Sequence, residues 1–293
     1  MKERLLTVAL FATFACAQQA PVRAEVDRIA ALKNAQQRQA LRELLVDSGQ
    51  VDSDPRAFRE AIFYHEAQLR PALRSLLDDA EANHVARFLL STIGSAEDLR
   101  LMIQHPPPGG RKGFPNRWTY AVATSLLEPK SDQEWNFLRK CAENDFEDRW
   151  VDYGAIQTLE LIASDRSRRI LEESSVRNEF RRLRIARAVE YIRSNPQPLT
   201  GPNLAELAKR VAEVVKFGDL EEIRPPYYDE SGDKALVDFV FHSGPDRLTY
   251  TATFHLKNGV WKLRGVRETL QEFMPPLPPV QPPPKALPSP QGH

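Results

Sequence analysis

Forty basic and forty acidic residues cancel along a chain of 293, so no overall field recruits nucleic acid or an anionic membrane. Hydrophobic residues make up 42% and charged residues 27%, which suits a soluble globular chain, long enough for two domains. With only two cysteines, a disulfide-stapled scaffold is excluded and the core must hold the fold.

The first seventeen residues read as a signal peptide. Lys2 and Arg4 give a positive start, residues 5–15 are uncharged and apolar, and Ala15-Cys16-Ala17 offers a small-x-small cleavage site before Gln18. The apolar run is shorter than the roughly 20 residues that span a bilayer. Cys16 presents an alternative, a lipid anchor. Ala15 fits the residue before a lipidated cysteine, whereas Thr13 and Phe14 fit that pattern poorly. The expected location is therefore exported, periplasmic or secreted, with no transmembrane segment in the mature chain. Cleavage removes Lys2, Arg4 and Glu3, leaving 38 basic against 39 acidic residues and Cys141 as the lone thiol.

Residues 24–196 read as successive helices. Ile29, Leu32, Leu41, Leu44 and Leu45 form an early apolar stripe, broken by the Gly, Asp, Ser and Pro of 49–55. A helix is expected from about Arg56 to Gln68, and Pro71 is expected to open the next. The proline and glycine run at 106–110 is a hard stop. Within this region a weak repeat recurs: an apolar helix, a short turn rich in Ser and Asp, and a second apolar helix. Ile93, Leu127 and Ile162 stand 34 and 35 residues apart in it. One such pair cannot bury its own face, so neighbours must stack. The turn serines are expected to cap the second helices.

The stretch 155–171, with Asp165 in its turn and Arg166 beside it, resembles the middle of a HEAT-type helical repeat. The resemblance covers roughly residues 56–193 and implies stacked helix pairs with a protein-binding surface.

The segment Asn195-Pro196-Gln197-Pro198 marks the expected domain boundary. Residues 200–203 then start another helix, with Pro202 in its first turn and a stripe of Leu204, Leu207, Ala208, Val211, Val214 and Val215. From Lys234 the period changes to two. Leu248, Tyr250, Ala252, Phe254 and Leu256 alternate with Thr249, Thr251, Thr253 and His255, after a strand marked by Val237, Phe239 and Phe241. Asn258-Gly259 favours a type I′ turn into a third strand, on which Trp261 and Leu263 share a face and Trp261 is expected in the core. The run of Gly259, Trp261, Lys262 and Leu263 resembles the closing strand of the cone-shaped nuclear-transport-factor-like α+β family. A small α+β domain over 200–274, with a three- to four-stranded antiparallel sheet, is expected to be separable from the helices. The Pro-rich segment 275–293 reads as an extended tail.

No catalytic motif emerges. His65-Glu66 lacks the second histidine of a zinc helix, since Leu69 stands in its place. His242 and His255 fall at opposite ends of a hairpin, too far apart to share a metal. The acidic cluster around Glu143 and Asp145 lacks the spacing of a calcium loop. No cofactor and no metal are expected. Two candidate surfaces remain. Arg177, Arg181 and Arg184 share a helical stripe suited to capturing an anion or a partner, although Glu172, Glu173, Glu179 and Glu190 are near enough to pair with them. A pocket between helix 202–217 and the sheet would be lined by Tyr227, Tyr228, Asp238 or His242.

The expected protein is thus mainly α, with HEAT-like stacked pairs followed by a small α+β domain. It reads as an exported, non-enzymatic scaffold or adaptor for an envelope or secreted protein partner, and binds no nucleic acid. The alternative is a small-molecule-binding or hydrolytic α+β domain. The intact mass of the exported protein tests the leader: it should correspond to a chain beginning at Gln18, and a diacylglycerol adduct on Cys16 would instead establish the anchor.

Overall fold

The computed structural model describes residues 22–46, 55–93, 95–105, 115–143, 149–176, 179–194, 199–216 and 218–273. The expected leader, the boundary at 195–198 and the Pro-rich tail lie outside them. Among the described residues twelve helices form: α1 (22–31), α2 (Asn34–Val46), α3 (Pro55–Tyr64), α4 (Glu66–Ser75), α5 (Asn83–Ile93), α6 (Ala96–Gln104), α7 (Pro115–Ala123), α8 (Asp132–Ala142), α9 (Arg149–Ile162), α10 (Asp165–Glu173), α11 (Glu179–Ser194) and α12 (Leu204–Val215). The strands are β1 (Thr200–Gly201), β2 (Asp219–Ile223), β3 (Tyr227–Tyr228), β4 (Lys234–Ser243), β5 (Asp246–Lys257) and β6 (Val260–Phe273). The chain is helical with a C-terminal curled antiparallel sheet, an α+β arrangement. Among the described residues no helix is long and apolar enough to cross a membrane.

The Ser/Asp turns do cap their helices. Ser95, Ser131 and Ser164 each close a capping box, accepting from the backbone N–H of Asp98, Glu134 and Ser167 at 3.4, 3.3 and 3.1 Å. In return Asp98, Glu134 and Ser167 accept from the serine N–H groups. Each cap contributes about 0.5–2 kcal/mol. Helices α5, α7 and α9 touch in series and carry their partners α6, α8 and α10 beside them. The joint core includes Ile62, Phe63, Leu73, Leu90, Met102, Leu138 and Leu159, all nearly inaccessible. Cys141 is buried in it, and burial pushes its thiol up to about 12.

One break falls elsewhere than expected. α3 ends at Tyr64, His65 leaves helical geometry, and Pro71 lies inside α4 instead of opening it. Starting the helix at Glu66 puts that buried carboxylate one turn before Arg70, whose Nη2 it accepts at 2.8 Å.

The sheet has six strands in the order β1-β6-β5-β4-β2, with β3 paired to β4. It is larger than the three to four strands expected. The additional strands are short or exposed, and the sequence Asp219–Ile223 carries no apolar alternation to reveal β2. The β4–β5–β6 core has the expected pairing, with Phe239 opposite Tyr250 and Phe241 opposite Leu248. Asn258 and Gly259 both have positive φ, as the tight β5–β6 turn requires. One sheet face, including Val237, Phe239, Phe254, Trp261 and Leu263, packs on Leu207, Ala208, Val211 and Val215 of α12.

The other face is polar and lies against the helices. Asp238 meets Arg59 Nη2 at 3.2 Å, Arg56 Nε at 3.6 Å and Arg224 Nη1 at 3.8 Å, and accepts from the Thr251 hydroxyl at 2.6 Å. Arg267 is 3% exposed. It donates to Ser91 Oγ at 2.5 Å and to Thr92 Oγ1, with its guanidinium 4.8 Å from the Phe88 ring centroid. Burial pulls its pKa down to about 9. The Val266 amide donates to the Thr124 carbonyl at 3.2 Å. This approach needs Gly265: a Cβ there would stand 3.0 Å from Ser125 Cα and 3.1 Å from the Thr124 oxygen.

Asp238→Ala should therefore cost about 3–5 kcal/mol by chemical denaturation, because it strands Arg59 in the interior, and a loss under about 1 kcal/mol would show that the seam does not depend on this pair.

Candidate functional site

Strand register assembles a cationic row at one end of the polar sheet face. Lys234 of β4 pairs with His255 of β5, and His255 pairs with Lys262 of β6. Lys257 follows two residues later on the same face of β5. Between Leu263, which pairs with Phe254, and Gly265, which pairs with Thr253, the register shifts and leaves Arg264 as the extra residue of a bulge. Such a bulge re-aims its side chain. Arg264 thereby joins Lys234, His255, Lys257 and Lys262 around one cavity of about 370 Å³.

The helices complete the wall. Arg70 comes from α4, Ser95 and Ala96 from the N-terminal end of α6, and Glu128 from the segment after α7. Arg70 and Lys234 are both held by the buried carboxylate of Glu66, and Arg70 Nε lies 3.8 Å from Asp98. Among the described residues no carboxylate lies within ion-pair distance of Lys257, Lys262 or Arg264, and Arg264 Nη2 is buried without a hydrogen-bond partner. Burial lowers the Arg264 pKa, opposed chiefly by Glu128. His255 Nε2 is likewise buried and unpartnered. Burial, then Arg264, Lys234 and Arg70, pushes the His255 pKa down to about 3. The imidazole is neutral at physiological pH. It is a polar, uncharged spacer in a row of cations.

The residues singled out in the sequence do not converge. Tyr227 accepts a hydrogen bond from Arg23 at 3.1 Å. Tyr228 is exposed, with its ring centroid 6.2 Å from that of Trp261. His242 Nε2 lies 2.7 Å from Glu221 at the far end of the sheet. Asp238 is on the helix-facing side, because the period-two alternation puts Val237 and Asp238 on opposite faces. The groove between α12 and the sheet does exist, at about 270 Å³, but Leu204, Ala208, Ile223, Pro225 and Val237 are among the residues that line it. Tyr227, Tyr228, Asp238 and His242 are not among its lining residues.

The three arginines of the expected stripe have different surroundings. Arg177 lies outside the described residues. Arg181 is half-buried. Arg184 is turned inward, paired to the buried Glu160, with its guanidinium 5.2 Å from the Tyr153 ring centroid. Among the exposed charges of α11, Glu179, Arg182, Arg187 and Glu190, stand two large apolar side chains, Phe180 and Leu183, which are 70% and 66% exposed. Of the other basic residues, Arg166 pairs with Asp132 and Arg168 with Glu172. Half of the zinc-helix motif has become structural, with His65 2.7 Å from Asp27 and Glu66 under Lys234. Among the described residues no three His, Cys, Asp or Glu are grouped to hold a metal ion.

Sequence reasoning missed Arg70, Lys234, Lys257, Lys262 and Arg264 as a group. The available signal was the hairpin pairing itself, which sets His255 opposite Lys234 and carries the row on to Lys262.

The His255 environment has a pH signature. In the unfolded chain the imidazole protonates near 6.5, but in the fold only near 3. Its contribution to stability is present above pH 6.5 and is lost as pH falls toward 3. His255→Gln should flatten the acid limb of stability against pH in that window by up to about 1.4 kcal/mol per pH unit. Denaturation midpoints at pH 7, 5.5 and 4 read this out, and parallel curves for the two proteins would refute it.

The sequence matches no known family model, and the comparison with curated proteins finds none that is similar.

Proposed function

We propose that the chain is an exported, non-enzymatic binding protein that holds an anionic ligand in the cavity between α4, α6 and strands β4–β6. One observation carries this reading: five cationic side chains, Arg70, Lys234, Lys257, Lys262 and Arg264, line that cavity against the single carboxylate of Glu128. Like charges on neighbouring strands oppose one another, and a bound anion offsets that repulsion. Guanidinium and ammonium donors form charge-assisted hydrogen bonds about twice as strong as neutral ones.

Export rests on the sequence of residues 1–17. The helical region is read as a degenerate HEAT-type stack, a reading supported by the recurrence of capping boxes at Ser95, Ser131 and Ser164. The C-terminal strands are read as nuclear-transport-factor-like on the strength of Gly259, Trp261, Lys262 and Leu263.

A second reading, an adaptor for an envelope or secreted protein, is favoured by the outward Phe180 and Leu183 on α11, since exposed apolar groups in contact reach mark partner surfaces.

The two readings separate experimentally. Thermal unfolding of the mature chain is followed with chloride, acetate, citrate, sulfate and phosphate at matched ionic strength. At least one anion should raise the midpoint of the wild type by a few degrees, and Lys257→Glu with Lys262→Glu should abolish that rise. No response to any anion would overturn the first reading. The adaptor predicts instead that Phe180→Glu with Leu183→Glu releases a protein captured from envelope extract, while the lysine variant keeps it.

A further inference from the structure

We infer that the ligand of this cavity carries a phosphate monoester dianion, an inference that rests on the anion-binding reading above. The charge count at the site sets the valence. Arg70 and Lys234, together with Arg74 behind them, are matched three for three by Glu66, Asp98 and Glu97. That leaves Lys257, Lys262 and Arg264 facing Glu128, a surplus of two positive charges. A monocarboxylate or a phosphate diester would neutralise half of it, whereas a monoester dianion neutralises all of it.

The donors suit a tetrahedral oxyanion with three terminal oxygens. Arg264 Nη2 is buried and has no partner. It is delivered by the β6 bulge, so its direction is fixed by backbone and not by a flexible loop. His255 Nε2, also buried and unpartnered, offers a neutral group on the adjacent strand. The start of α6 lies at the rim through Ser95 and Ala96, its cap already closed by Asp98. The two lysines supply mobile point charges from the solvent side, Lys257 being exposed and Lys262 half-buried.

Size argues for an ester and not for the bare ion. A cavity of about 370 Å³ falls in the range of small-molecule sites. Its lining adds Ala96 and the lysine stems, which can cover an organic group but offer a phosphate nothing. The same head group occurs on soluble esters and on a lipid such as phosphatidic acid.

Calorimetric titration of the full mature chain at pH 7.5 tests this with four probes: glycerol 3-phosphate, inorganic phosphate, dimethyl phosphate and acetate. Glycerol 3-phosphate should bind at least about tenfold more tightly than the monoanionic dimethyl phosphate or acetate, and inorganic phosphate should compete with it. Arg264→Gln should weaken the monoester by about tenfold or more. Should that variant fail to fold, Lys257→Gln with Lys262→Gln, on the outer side of the cavity, should produce the same loss. Sedimentation with phosphatidic acid vesicles, reversed by glycerol 3-phosphate, would identify a lipid source; binding of the soluble ester without sedimentation would identify a soluble one. Equal affinity for dimethyl phosphate or acetate would overturn the dianion inference while leaving the anion site in place. Unchanged monoester affinity in the folded lysine variant would place the ligand elsewhere. No response to any of the four probes, nor to citrate or sulfate, would overturn both readings.

Discussion

The fold turns on charge that has nowhere to go but the helices. A sheet with one apolar face can leave its other face in water. Here that second face carries Asp238 and Arg267, 5% and 3% exposed, and both are covered. Covering a charge without a partner costs several kcal/mol, so the helices must supply Arg59 for the one and the hydroxyls of Ser91 and Thr92 for the other. These partners stand 175 to 179 residues away in sequence. Hydrogen bonds at this seam are specific in direction, whereas apolar packing tolerates sliding. Docking of sheet on helices is thereby held to one register, and the small glycine at 265 lets the backbones close to bonding distance.

The cavity follows from that docking. Its cations come from three strands and one helix, and its acidic neighbours from the helical side. Neither part has the site alone. The bulge at Arg264 matters most here. Without it, strict alternation from Lys262 would carry every second residue onto the helix-facing side and Arg267 onto the opposite face. With it, Leu263 and Val266 stay in the apolar layer against α12 while Arg264 and Arg267 both reach the polar seam. A single inserted residue supplies one arginine to the cavity and another to the interface.

The sequence made some of this legible and not the rest, for reasons of range. Periodicity over ten residues was enough for α12 and for β4 to β6, and two positive-φ residues at Asn258 and Gly259 were readable from chemistry alone. Cap residues were equally local: a serine and its acceptor three positions on. Strand β2 was not readable, because four of its five residues are exposed and leave no pattern. Arg184 looked like part of an outward stripe because its partner, Glu160, is on another helix and gives no local spacing. The cavity was hidden for the same cause. Its residues run from Arg70 to Arg264, and only the three-dimensional meeting of β4, β5 and β6 with α4 and α6 brings them together.

Cys141 is a consequence of the helical core with a use of its own. Its thiol is 4% exposed and needs a pH near 12 to ionise, so at pH 8 roughly one molecule in ten thousand carries the thiolate even before access is considered. An oxidant therefore finds almost no thiolate at Cys141 while the core is closed. Each opening of α8 from its neighbours returns the thiol to ordinary acidity and exposes it at once. The rate of alkylation by a small reagent then counts openings, which makes this side chain a native gauge of how often the helical stack breathes.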